Sequence, residues 1–279
     1  MRISLAQLEN QPVKQDNLDA IRAAIIRAGR DEADLVVFPE AAMQAFNSGR
    51  LDAPAEPLDG PFAQAIREAT REAGITAVVG MFRPADTKEV DGDTLNRVYN
   101  TLLVTGPGVE GHYDKKWLFD AFGFRESDTV APGDKPLLLK IPTGSGSVQR
   151  EVTVGFATCF DLRFPSLFTE LADAGAEVIV VPASWGEGPG KLHQWRILTT
   201  ARALDTTCFL VAVDAARPGG PSEVGEQSGP TGIGHSAVYG PDGQIVAEAG
   251  NGPQQFSVDI DLDELPRVRE TIPVIELRT

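Results

Sequence analysis

The sequence predicts an α/β fold built as a layered sandwich, and three observations predict it. Strand-like and helix-like stretches alternate over residues 2–82. The middle of the chain then carries successive strands with no room for helices between them. After residue 165 helices and strands alternate again, with no linker dividing the chain. Strands in two blocks with helices interleaved suit stacked sheets better than one doubly wound sheet.

Taken in order, Arg2 to Leu8 reads as a strand, and Asp16 to Arg30 as a helix with Leu18, Ile21, Ile25 and Ala28 on one stripe. Asp34 to Pro39 is a short apolar strand stopped by proline, with Glu40 just beyond it. A helix over Phe62 to Glu72, ended by Gly74, precedes a strand over Ile75 to Phe82. Strands follow at Asn100 to Thr105, Val109 to Tyr113, Pro136 to Ile141 and Val152 to Thr158. A helix starts at Pro165, a strand over Glu177 to Val181 ends at Pro182, and a helix over Lys191 to Leu204 leads into a strand at Thr207 to Val213. Ser236 to Tyr239 and Gln244 to Ala247 form a hairpin across Pro241-Asp242-Gly243, and Gln255 to Ile260 is the last strand. The Gly/Pro/Ser-rich run Arg217 to Gly234 is flanked by strands and reads as a long loop inside a single domain spanning 1–279.

Charge narrows the partners. Lys plus Arg number 25 against 40 Asp plus Glu, a formal net charge of -15. A nucleic-acid binder needs cationic cover for phosphates, and an anionic membrane surface repels such a chain. No apolar stretch approaches the roughly 20 residues that span a bilayer, and no charged and apolar leader precedes the first strand. With only Cys159 and Cys208, the expectation is a cytoplasmic protein with free thiols.

Three places carry candidate chemistry. In Gly155-Phe156-Ala157-Thr158-Cys159-Phe160-Asp161 an apolar strand runs into Cys159, and a helix begins shortly after. A nucleophile at such a turn is held rigidly and stands clear of its sheet. The alternative is a cysteine packed as a small hydrophobe, which suits Cys208 in its apolar strand better. A thiol also needs a group to take its proton, and Glu40 would arrive at the same sheet edge as Cys159. The third place is the pair Lys115 and Lys116, followed by apolar Trp117-Leu118-Phe119, which draws one lysine toward a pocket. Strand parity leaves the choice between them open. A rival arrangement has His193 or His235 activating Cys159. The glycine-rich loop lacks the ending of a phosphate-binding loop, so no nucleotide site is expected.

Three motifs resemble those of the nitrilase superfamily, in its order: Phe38-Pro39-Glu40, Tyr113-Asp114-Lys115 and Cys159-Phe160-Asp161-Leu162-Arg163-Phe164-Pro165. Supporting matches include Gly80-Met81-Phe82, Asn100-Thr101, Glu126-Ser127, Pro182-Ala183-Ser184-Trp185 and Gly234-His235-Ser236. The resemblance implies a four-layer α-β-β-α sandwich, a Glu40–Lys115–Cys159 catalytic set, and a second glutamate, Glu126, beside it. It selects Lys115 over Lys116. The chain departs from the family pattern at Asp114, Trp117 and Phe160, where a basic residue, a histidine and a tyrosine are common, and this bears on the pocket wall.

These residues support acyl transfer through a thioester, with the oxyanion between the Lys115 ammonium and the Phe160 backbone amide. No metal or cofactor is required. The stretch Phe119 to Ser127 and the cysteine motif resemble the deaminated glutathione amidase and omega-amidase branch. That implies a small, linear, carboxylate-bearing amide, with other omega-amides, aliphatic amides or a nitrile as alternatives, and a catalytically silent binding member as the alternative class. Arg163, Arg125, Lys116, Lys191 and Arg196 are candidate partners for a substrate carboxylate, and Trp185 is a candidate pocket wall. The family resemblance also implies a homodimer, with the helices holding Phe168 to Leu171 and Trp195 to Leu198 as candidate interfaces.

Overall fold

In the computed structural model, residues 1–121, 123–144, 150–220 and 227–278 are described. Phe122 of the Phe119 to Ser127 stretch and residues 221–226 of the long loop therefore lie outside the described residues.

The chain opens with β1 (Arg2–Gln7), α1 (Lys14–Arg30), β2 (Leu35–Val37) and α2 (Pro61–Ala73). Helix α1 buries Ile21, Ala24, Ile25 and Ala28 along one stripe. Helix α2 has proline in its first turn and closes on Gly74 at φ 72°, a left-handed conformation that glycine adopts without cost. Next come the long hairpin β3 (Thr76–Val90) and β4 (Asp93–Gly106), then β5 (Val109–Asp114). A small flap follows, made of β6 (Asp120–Ala121) and β7 (Phe124–Arg125), before β8 (Val130–Ala131). The second half holds β9 (Leu138–Thr143), β10 (Arg150–Phe156), α3 (Pro165–Asp173), β11 (Val178–Ala183) and α4 (Lys191–Thr206). It finishes with β12 (Phe209–Asp214), β13 (Ala237–Tyr239), β14 (Ile245–Glu248), β15 (Gln254–Asp259) and α5 (Glu264–Thr271).

Two sheets result. One has the order β15-β1-β2-β3-β4-β5, with β8 added beside β4, and the other runs β14-β13-β12-β11-β10-β9. Period-two alternation divides the side chains of the first sheet between two cores. Ile3, Leu5, Leu35, Val37 and Val78 face the second sheet, in one apolar cluster with Val154, Val180 and Val211. Val36, Ala77 and Val79 face the other way, against Ile25 of α1 and Phe62 and Ile66 of α2. Phe168 and Leu171 of α3 and Trp195 of α4 cover the second sheet. The four layers expected from the family resemblance are present. Among the described residues no helix is long and apolar enough to cross a membrane.

Several element boundaries differ from the sequence reading. Strand β11 does not stop at Pro182 but continues to Ala183, with Pro182 opposite Val213. Ala183 then passes its carbonyl to the Glu40 and Ala215 amides, so the strand end is tied into the site. Strands β3 and β4 reach far beyond Phe82 and start well before Asn100, as a mostly exposed hairpin. Its polar sequence and Pro84 carry no apolar alternation. Lys88 on this hairpin donates to the Ser127 carbonyl at 3.1 Å and to Asp128 at 2.8 Å, bracing the turn after the flap. Helix α5 has only Leu265 buried, too little of an apolar stripe to be seen in sequence.

Candidate active site

Four strand ends meet at one edge of the sandwich: β2 and β5 from the first sheet, β10 and β11 from the second. Each delivers a polar group there. Strand β2 is followed by the turn holding Glu40, which is fully buried. Gly80 on β3 makes room for that turn, because a Cβ there would lie 2.6 Å from the Pro39 carbonyl oxygen. Glu40 Oε1 accepts hydrogen bonds from Lys115 Nζ at 2.9 Å and Asn100 Nδ2 at 2.7 Å. Its Oε2 accepts from the Ser184 amide at 2.9 Å.

Lys115 immediately follows β5, with its amide bonded to the Asn100 carbonyl and its carbonyl to the Gly133 amide. Its side chain is buried, and Nζ donates to both Glu126 oxygens at 3.0 Å as well as to Glu40. Burial opposes the ammonium charge, but Glu126 and Glu40 outweigh it and hold the group protonated, well above the ordinary lysine value. Glu126, also buried, accepts from the Phe119 amide at 2.6 Å. Lys116 points elsewhere and approaches Glu170 at 3.9 Å.

Cys159 has φ 46°, a left-handed conformation at the first residue of a 3-10 turn over Cys159–Arg163. The turn sits between the end of β10 and α3, as the sequence suggested. Burial pushes the thiol well above its usual range, the Glu40 carboxylate adds to this, and Lys115 opposes it. The resting sulfur is therefore a thiol held beside a buried carboxylate.

Asp161 joins the cysteine turn to the lysine segment. Its carboxylate accepts from the Thr158 amide at 2.8 Å, the Tyr113 hydroxyl at 2.7 Å and the Trp117 amide at 2.9 Å. Tyr113 and Trp117 bracket Lys115, so one buried acid ties the lysine segment to the Cys159 turn. Burial raises this carboxyl to about 6, against the hydrogen bonds it accepts. Asp214, at the end of β12, similarly holds the Trp185 and Ile233 amides, each at 2.7 Å.

Cys159, Glu40, Lys115 and Glu126 open onto a cavity of about 450 Å³. Phe46, Leu51, Phe119, Phe124, Phe160 and Trp185 form its apolar wall. Besides Lys115, Arg163 and Lys191 bring cations to its lining, and Glu187 brings a further carboxylate. Arg163 lies over the rings of Trp185 and Phe160, 5.5 and 5.9 Å from their centres, and donates to the neutral Gln194 amide at 2.7 Å. Among the described residues no carboxylate is in ion-pair distance of it. Partial burial and the Arg163 charge both lower the Lys191 ammonium, the mark of two cations facing one space.

The other candidates fall away. Arg196 is paired with Glu248, Arg125 lies 3.7 Å from Asp128, and neither they nor Lys116 line the cavity. The Cys–His arrangement is not formed: His193 is exposed, His235 lies 3.0 Å from Glu248, and neither lines the cavity. Sequence reading gave no role to Asn100, Asp161, Ser184 or Asp214. The spacing Thr158-x-x-Asp161 is a helix-start signal that could have drawn attention to Asp161. A carboxylate at the end of an apolar strand could have done the same for Asp214.

Stacked sheets between helical layers, with charged groups gathered on their strand ends, define a layered α/β class of protein. Within it, the chain belongs to the carbon-nitrogen hydrolase family, whose model matches residues 2–270, and it is a member of the nitrilase superfamily. A Mycobacterium tuberculosis protein named as a hydrolase is 44% identical, with 100% of this chain and 96% of that one aligned. An Escherichia coli protein named deaminated glutathione amidase is 30% identical over 100% of this chain and 97% of its own. The crystal structure of a Xanthomonas campestris member of the superfamily superposes with a TM-score of 0.79 at 25% identity, covering 99% of this chain and 96% of that one.

Proposed function

We propose that the protein hydrolyses a small, carboxylate-bearing linear amide to an acid and ammonia through a thioester on Cys159. The observation that carries this reading is the placement of Glu40 and Lys115 in direct contact at 2.9 Å, both acting on the Cys159 thiol at the base of the cavity.

Because the thiol is protonated at rest, Glu40 takes its proton as the sulfur attacks the amide carbon. The oxyanion that forms lies between the Lys115 ammonium and the Phe160 amide. That amide belongs to the first turn of the 3-10 helix, where backbone donors lack intrahelical acceptors. The C–N bond then breaks, and Glu40 gives its proton to the departing nitrogen, which leaves as ammonia. Water enters and Glu40 takes one of its protons. The hydroxide adds to the thioester, the C–S bond breaks, and the thiol regains its proton from Glu40. Lys115 stays charged throughout, since two carboxylates hold its proton. Glu126 keeps the ammonium in place through two hydrogen bonds at 3.0 Å.

Arg163 and Lys191 are proposed to bind the substrate carboxylate, with Trp185 as part of the wall. The name of the Escherichia coli relative supports an amide with an anionic end. We also propose a single cytoplasmic domain that pairs as a homodimer through its helical faces, where Ile197 and Leu204 of α4 are exposed.

The test is ammonia release from deaminated glutathione, alpha-ketoglutaramate and simple aliphatic amides, by the native chain and by Glu40→Gln and His193→Ala. Release from at least one amide, an acyl adduct on Cys159 by mass spectrometry, and a roughly 10²–10⁴-fold loss in Glu40→Gln alone are expected. Loss only in His193→Ala overturns the Glu–Lys–Cys assignment. Turnover of none of these amides overturns the substrate class. Unchanged ligand affinity in Cys159→Ala with no adduct in the native chain would instead establish a binding protein.

A further inference from the structure

The cavity is larger and more aromatic than a short polar acyl chain requires. At about 450 Å³ it falls within the ~300–1,000 Å³ range of sites that bury drug-sized ligands. Its aromatic wall starts at the reacting atom, because Phe160 adjoins Cys159. From there Phe119 packs edge-on to Phe160 with centres 5.1 Å apart, and Phe124 lies 6.3 Å beyond Phe119. Phe160 is backed by Phe164 at 5.5 Å, which is itself stacked on Trp117 at 4.1 Å. Rings interlocked in this way cannot collapse inward to fill the space.

Two further observations bear on the occupant. Phe124 is 51% exposed, a large ring left open to water at the cavity mouth. Arg163 lies 5.9 Å from the centre of the Phe160 ring, and Cys159, Phe160, Phe119 and Arg163 all line the one cavity. A substrate with its carbonyl at Cys159 and its carboxylate at Arg163 would share that cavity with the Phe160 and Phe119 rings.

We infer that the acyl group carries an aromatic or branched apolar body between the reacting carbonyl and the anionic end. This rests on the amide hydrolysis and the Arg163 contact proposed above. A short unbranched chain would leave the rings facing water, whereas an apolar branch displaces that water and adds ring contact.

The test compares two substrates with the same amide and the same carboxylate: the monoamide of glutaric acid and the monoamide of 3-phenylglutaric acid. The phenyl-bearing amide is expected to have a kcat/KM about ten- to a hundredfold higher, mainly through KM. Phe124→Ala is expected to cut that preference to within about threefold, because the ring loses its outer contact. Equal or better turnover of the unsubstituted amide overturns the inference and leaves amide hydrolysis standing. A phenyl preference undiminished in Phe124→Ala also overturns it, by removing this wall as the cause. Turnover of neither amide, with no adduct on Cys159, overturns the proposed function and this inference together.

Discussion

Around Cys159 the charged groups stand on strand ends or in the first turn beyond them, and each is gripped several times. Glu40 accepts three hydrogen bonds and Lys115 donates to two carboxylates. Around Phe124 the wall is a flap of two-residue strands, with rings half open to water. The inner region is preorganised by two sheets that cannot shift without breaking the core, which is what charge stabilisation during catalysis demands. The outer region is held by ring contacts and one lysine brace from the hairpin. Chemistry and selectivity are thus assigned to parts of the fold with different rigidity, and each can be altered while the other is left in place.

The sharpest way to break the inner region is Lys115→Met. It removes the proposed oxyanion donor and leaves two carboxylates buried without their cation. A fall in kcat of about 10²–10³ is expected, with about 3–5 kcal/mol of stability lost in a denaturant titration. Retention of kcat within tenfold would remove Lys115 from the mechanism.

Asp161→Asn tests how the two halves of the inner region are joined. A carboxyl raised to about 6 from 3.8 keeps its proton in the folded chain over a window where the unfolded chain has lost it. Its contribution to stability is therefore greatest below about pH 4 and declines by about 3 kcal/mol as pH rises to about 6. In Asp161→Asn that component vanishes, so the stability difference between variant and parent should change with pH over this window and level off above it. Urea unfolding at several pH values measures it, and a difference independent of pH refutes the assignment.

Arg163→Ala bears on the outer region. For an anionic amide, KM should rise about ten- to thirtyfold, the worth of one charge-assisted hydrogen bond. For a neutral amide of the same length KM should hardly change, and an equal rise for both would make Arg163 a packing residue. The smallest effect is expected from Glu126→Gln, which keeps the shape while removing one charge and replacing one of the two acceptor oxygens by an NH2 group. A roughly tenfold drop in kcat with unchanged KM would place Glu126 behind Lys115 rather than against substrate.

The contrast also explains what was legible in the sequence. Glu40 and Cys159 each follow an apolar strand and Lys115 follows the mostly polar β5, so the local pattern put all three at strand ends. Three separate motifs then identified the set. Glu126 follows no strand legible in the sequence and was visible only through family resemblance. Asn100 and Ser184 act through a side-chain amide and a backbone amide that no motif marks as chemical. The cavity wall was the least legible part. Phe46, Leu51, Phe119 and Phe124 come from turns and two-residue strands, and their meeting depends on tertiary packing. Of the cations, Arg163 and Lys191 were among five candidates that sequence could not rank.

Cys159 occupies a backbone region where every side chain except hydrogen is strained, by roughly 1–2 kcal/mol. A chain selected for stability alone would carry glycine at this position. Under the proposed mechanism, cysteine there is a cost the fold carries for the sake of its sulfur, and a substitution to glycine would remove the reaction while relaxing the backbone. Position 159 is thus where stability and activity pull in opposite directions, and stabilising this enzyme by design should leave that one strained residue alone.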